Sequence, residues 1–187
     1  MKIIYGGITE RGIKREKNED SVRMLSNRGY GLFLVADGMG GHANGELASR
    51  RVAQDVKTWW EEKILSEGNI HFEDCVDSLK QLLQDTNTSI FRDLNQNQIC
   101  GSTVVLLFIM ESQYAILSSG DSRGYTLRNI EDTANIHLIQ LTGDDIWDNL
   151  ESTKKAFTVE EIGRHKNSGK LVHVIGAESE TTVQLVI

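Results

Sequence analysis

The chain has 187 residues, 39% of them hydrophobic and 25% charged, the make-up of a globular domain able to bury a core. Its net charge of −7 and pI near 5.2 argue against nucleic acid as a partner, since the densest basic cluster is RGIKREK at 11–17. Two cysteines, Cys75 and Cys100, are too few for a disulfide framework, and the longest apolar run, 104–110, is too short to cross a bilayer. A cytoplasmic protein in a reducing compartment, without a membrane partner, is expected.

In chain order, the β-like runs KIIYGGIT, SVRMLS and YGLFLVA come first, separated by polar, glycine-containing turns. Apolar residues at Ala48, Val52, Val56, Trp59 and Trp60 predict a helix over 46–65, with Asn44 placed as its N-cap. A second helix is predicted over 72–94, with Phe72, Val76, Leu79, Leu83, Ile90 and Leu94 on one face. Strands return in STVVLLFIM, QYAILSS, RGYTLR and NIHLIQL. Residues 144–170 then break the rhythm as a polar, irregular segment, in which TVEE at 158–161 has the form of a capping box for one short helix. KLVHVIG and TTVQLVI close the chain as strands. Strands grouped apart from helices indicate a single α+β domain over 1–187 with antiparallel sheet, in preference to alternating βαβ units. The sequence stops at Ile187 inside an apolar, strand-like run, from which further sheet is expected beyond it.

The chemistry concentrates in VADGMGGHANGEL, 35–47, where an apolar run ends in Asp37 and a glycine-rich turn follows. Gly38 to Ala43 formally satisfies the dinucleotide pattern G-x-G-x-x-[GA]. Asp37 would, however, set a negative charge against a pyrophosphate, and a second long helix follows where a parallel strand is needed. The other reading is a hard-cation site, since Mg²⁺ and Mn²⁺ take carboxylates, backbone carbonyls and waters. A carboxylate at a strand tip followed by glycine offers both kinds of oxygen. Glu19 and Asp20 in KNED, and Asp121 in SSGDSRGY, are further acids available to converge there, although aspartate beside glycine is most often a plain turn residue.

Five stretches in order, GIKREKNED, LFLVADGMGGHANGELAS, GSTVV, SGDSRGY and LTGDD, together resemble the metal-dependent protein phosphatases of the protein phosphatase 2C type, in their bacterial form. The resemblance implies a sandwich of two antiparallel β-sheets flanked by antiparallel helix pairs. It implies hydrolysis of phosphoserine and phosphothreonine on phosphoproteins, the products of a serine/threonine kinase, with Mg²⁺ or Mn²⁺ as cofactor. Carried over by position, Asp37 bridges two metals and Gly38 lends its carbonyl. Glu19 and Asp20 hold metal-bound waters or touch a metal directly. Asp121 serves a third, weaker ion, and Arg15 grips the substrate phosphate. Residues 144–170 fall where bacterial members carry a flap.

The sequence departs from the family pattern in three places. Met39 stands where some members have a histidine proposed as general acid, and His42 is the nearest imidazole. Asp145 stands where relatives usually carry histidine. The family's later Ser-Asp-Gly motif and its Asp-Asn pair near the C-terminus, which complete one metal site, are absent. A catalytically silent, phosphatase-like binding module is therefore the alternative expectation. Cys75 and Cys100 are expected to serve packing.

Overall fold

Alternating side chains set the first hairpin. In the computed structural model, which describes residues 2–40, 44–66, 70–96, 98–129 and 136–187, β1 (Asp20–Asn27) and β2 (Tyr30–Met39) pair antiparallel. Their two-residue loop holds Arg28 and Gly29 at positive φ, the conformation whose twist matches a tight hairpin. β4 (Val104–Met110) and β5 (Gln113–Ser119) add to the sheet, and β8 (Gln184–Val186) follows. The order is β1-β2-β4-β5-β8 with every pair antiparallel, while the short β3 (Gly101–Ser102) joins the end of β2.

Two helices, α1 (Asn44–Lys63) and α2 (Phe72–Leu94), bring their apolar faces to this sheet. The core between the layers holds Leu32, Leu34, Ala36, Leu106, Phe108 and Leu117 from the strands. It takes Ala48, Val52, Val56 and Trp59 from α1, and Val76, Leu79, Leu83 and Ile90 from α2. Phe108 sits edge-on to Trp59 at 5.8 Å and stacks on Phe72 at 5.9 Å between ring centroids. The helices are also tied to each other by polar bonds: Trp59 Nε1 donates to Ser78 Oγ, and Thr86 Oγ1 to Asp55 Oδ2 at 2.9 Å.

The opposite face of the sheet is less covered. Phe33, Val35, Leu107 and Ile109 line a depression of about 860 Å³, with Tyr5 and Leu127 at its sides. Among the described residues the second layer of strands consists of β6 (Tyr125–Asn129) and β7 (Ile136–Gln140), paired with each other.

Several expectations change in detail. Residues 2–9, the KIIYGGIT run, form no strand: Tyr5 lies against the Phe33 ring at 5.2 Å, so the run is held by side chains and not by a ladder. Asn44 is the first residue of α1 and not its cap. The KLVHVIG run makes only single bridges, Ile146 with Leu171 and Ser102 with Ile175. The segment expected to be irregular holds a 3₁₀ turn (Trp147–Asn149), α3 (Glu151–Ala156) and α4 (Val159–Arg164). These gather around Trp147, whose ring stacks on His165 at 4.3 Å and meets Phe157 at 5.6 Å. Helices this short have too few turns to show a period in the sequence. The expected capping box is present, with Thr158 Oγ1 accepting from Glu161 N and Glu161 Oε2 accepting from Thr158 N.

Phe108→Ala should lower unfolding free energy by about 3–5 kcal/mol, measured by denaturant unfolding. Val35→Ala, on the 43% exposed outer position, should cost under about 1 kcal/mol. Equal losses at the two positions would contradict a core confined to the helix side.

Candidate metal centre

Glu19 leads into β1, Asp20 opens it, and Asp37 lies near the end of β2. The antiparallel register sets Asp20 directly across from Asp37. Like charges opposite each other on neighbouring strands oppose pairing, so other contacts must hold the register here. The Glu19 carbonyl accepts the Gly38 N–H at 3.2 Å and the Ser49 hydroxyl of α1 at 2.5 Å. Ser49 Oγ also lies 3.1 Å from Ser21 Oγ. At Gly38 a Cβ would stand 2.1 Å from the Gly45 carbonyl oxygen and 2.8 Å from that of Glu19, so no side chain fits. A Cβ on Gly45 would lie 3.1 Å from both the Glu19 Oε1 and the Gly38 carbonyl oxygen. These two oxygens, both expected as donors, thus border one small space at the start of α1.

Thr103 links the two halves of the site. Its Oγ1 accepts the Asp37 N–H at 3.1 Å, and its own N–H donates to the Asp37 carbonyl at 2.9 Å. The same Oγ1 shares a 2.6 Å hydrogen bond with Ser122 Oγ, in the turn that carries Asp121. Gly120, at φ +101°, packs so closely on Thr103 that a Cβ would stand 2.7 Å from its Cγ2. The sequence marked GSTVV as a motif, but only the fold reveals this buried hydroxyl between two acid-bearing segments.

Asp37 keeps an exposed edge, yet its pKa is raised from 3.8 to about 6. Partial withdrawal of its carboxylate from water is the main cause. The charge of Asp20, a hydrogen bond with Asp20 and the charge of Asp121 follow, and Arg15 acts in the opposite sense. Arg15 is 78% exposed, with Nη1 3.9 Å from Glu19 Oε2, and its fork is open to solvent. Thus Asp20, Asp37 and Asp121 share one electrostatic field with Arg15 at its rim, while Glu19 stands beside Gly38.

The donor set is oxygen only, which suits a hard cation such as Mg²⁺ or Mn²⁺. Mutual repulsion within the set is what a divalent ion would relieve. Among the described residues, no group of three or more Asp, Glu, His or Cys side chains stands placed to hold a metal ion. The fit is one of donor chemistry, with Asp20 and Asp37 side by side and Asp121 within electrostatic reach. His42 lies outside the described residues. Cys75 and Cys100 are buried, and burial raises the Cys100 pKa, which disfavours the reactive thiolate. No helix is long and apolar enough to cross a membrane among the described residues.

An antiparallel sheet roofed by a helix pair, with acids gathered at one end of the sheet, places the chain in the α+β class with a carboxylate centre. No protein-family model matches the sequence. It is similar to the putative protein phosphatase 2C-type of Streptococcus pyogenes, at 30% identity over 175 residues covering 91% of this chain and 67% of that one. It is also 28% identical to serine/threonine phosphatase stp of Listeria monocytogenes, over 96% of this chain and 69% of the relative. The crystal structure of serine/threonine phosphatase Stp1 from Staphylococcus aureus superposes with a TM-score of 0.75 at 26% identity, over 96% of this chain and 68% of that one. The chain belongs to the protein phosphatase 2C-type family.

A carboxyl group raised from 3.8 to about 6 binds its proton more tightly when folded. Its contribution to stability is full below pH ~4 and is lost as pH rises through ~6. In chelator, the protein should therefore lose stability across that window. Asp37→Asn should remove this loss and melt higher than the unaltered protein at pH 7. A variant that melts lower at pH 7 with the same pH profile would contradict the repulsion.

Proposed function

We propose that this chain is a protein serine/threonine phosphatase whose substrates are phosphoserine and phosphothreonine residues of cytoplasmic phosphoproteins, placed there by a serine/threonine kinase. The observation that carries the reading is the cross-strand pair of Asp20 and Asp37, two carboxylates held in register with Asp37 shifted to about 6, in a fold shared with phosphatases. Asp37, Asp20, Glu19 and the Gly38 carbonyl would hold Mg²⁺ or Mn²⁺, two ions in all, and Asp121 a third. When bound, such a cation supplies Lewis acidity that activates water near neutral pH and offsets phosphoryl charge.

The protein's own residues do the rest. Arg15, exposed beside Glu19 and Asp37, can take two phosphoryl oxygens with its planar fork, fixing the phosphorus against the acidic end of the sheet. Its charge also stabilises the phosphoryl oxygens as a water attacks in line with the departing serine or threonine oxygen. Displacement by water needs no phosphoenzyme, so no side-chain nucleophile is called for. This agrees with the burial of both thiols.

A second reading, a phosphoprotein-binding module without turnover, is favoured by one observation: among the described residues, no group of three or more Asp, Glu, His or Cys side chains stands placed to hold a metal ion. Hydrolysis of p-nitrophenyl phosphate and of a phosphothreonine peptide separates the two. The phosphatase reading expects turnover that depends on Mn²⁺, stops in chelator, and falls about 100-fold in Asp37→Asn and in Arg15→Ala. Peptide binding with no phosphate release under any condition would establish the binding module instead.

A further inference from the structure

We propose that Asp145 is a positioning residue that fixes the turn bearing Asp121 and joins it to Val172, just past the 144–170 segment, and to β8. The proposal rests on the phosphatase reading, in which Asp121 serves a cation.

Asp145 and Gly120 grip each other reciprocally: Gly120 N–H donates to Asp145 Oδ2 at 3.1 Å, and Asp145 N–H to the Gly120 carbonyl at 2.9 Å. The second carboxylate oxygen, Oδ1, accepts from Gln184 Nε2 at 2.6 Å, and the Asp145 carbonyl accepts from Val172 N–H at 2.8 Å. Gln184 is fixed in turn, its Oε1 accepting from Gly143 N–H at 3.2 Å. The neighbouring Asp144 holds the far end of the same turn, taking both Nε (2.8 Å) and Nη2 of Arg123. That guanidinium keeps the Asp144 carboxyl below the usual range. Thr103 supports the turn from beneath through Ser122. Asp121 lies between these clamps, exposed, and its carboxylate accepts no hydrogen bond among the described residues. Its placement therefore comes from the turn.

This gives the unusual residue at 145 a role. A neutral imidazole there has one acceptor nitrogen and could not serve both Gly120 and Gln184, whereas a carboxylate accepts from both. Loss of a bond that orients a ligand typically costs about 10- to 100-fold in metal affinity.

The test is Mn²⁺ binding, read from the paramagnetic resonance of free Mn²⁺, for the unaltered chain and three variants, with near-ultraviolet dichroism to confirm folding. Asp121→Asn should remove the weakest class of sites. Asp145→Asn should weaken that same class about 10-fold and leave tighter sites unchanged. The double variant Asp145→Asn, Gln184→Glu should restore it, because the amide at 145 keeps an acceptor for Gly120 and donates to the carboxylate at 184. Asp145→Asn with an unaltered binding curve overturns the proposal, as does an Asp121→Asn that binds like the parent. A folded double variant that binds as weakly as the single one does the same. If Asp145→Asn alone does not fold, the double variant decides, by parental or weakened binding. Failure of the phosphatase reading would show separately, as absence of Mn²⁺-dependent hydrolysis by the unaltered chain.

Discussion

Two negative charges held opposite each other, Asp20 on β1 and Asp37 on β2, are the constraint around which this end of the molecule is arranged. Nothing in strand pairing favours that juxtaposition, and β1 is an edge strand that could shift to relieve it. It stays because the cost is met locally. The ladder runs without interruption from Asp20–Asp37 to Asn27–Tyr30. A one-residue slip of β1 would also turn Leu25, which packs against the core, and Ser21, which meets Ser49 of α1, away from the helix layer. The apolar core thus enforces an unfavourable electrostatic contact at the end of the ladder.

The same constraint explains the small residues. The Gly38 backbone passes so near Gly45 and Glu19 that only glycine fits, and Ser49 reaches from α1 to the Glu19 carbonyl. The first turn of α1 is thereby pressed against the acidic end of the sheet. The positive end of the α1 helix dipole lends positive character there, a partial offset that falls short of a full counter-charge. Thr103 carries the arrangement sideways to the Asp121 turn, and Asp144 and Asp145 carry it on to the segment holding α3 and α4. Acids from three separate parts of the chain become one field through backbone contacts.

Much of this was open to sequence reading, unevenly and for physical reasons. α2 was expected over 72–94 and is observed as Phe72–Leu94, because an amphipathic helix of that length repeats its pattern many times. Strand tips and glycine turns advertise where carboxylates lie, and Asp20 does stand across from Asp37, while Asp121 meets them only through its charge. The capping box at Thr158 was legible since its two partners are local. Thr103, Ser49 and Asp145 were not given roles, because each acts on partners distant in the chain and has no local signature. Residues 2–9 looked like a strand on composition, yet Tyr5 lies against Phe33 on the outer sheet face without ladder pairing. Within the 144–170 segment α4 was expected from its capping box, whereas α3 escaped notice, in a stretch that gathers around three rings, Trp147, Phe157 and His165, brought together only by folding.

The coupling between Asp20 and Asp37 underlies the whole acidic end of the sheet. Carboxyl-carbon resonance titration of the metal-free protein measures it directly at each group. The Asp37 carboxyl should titrate with a midpoint near 6, and Asp20→Asn should move that midpoint down toward the ordinary carboxylate range. A midpoint near 4 in the unaltered protein, indifferent to Asp20→Asn, would contradict the claim that these two charges face each other.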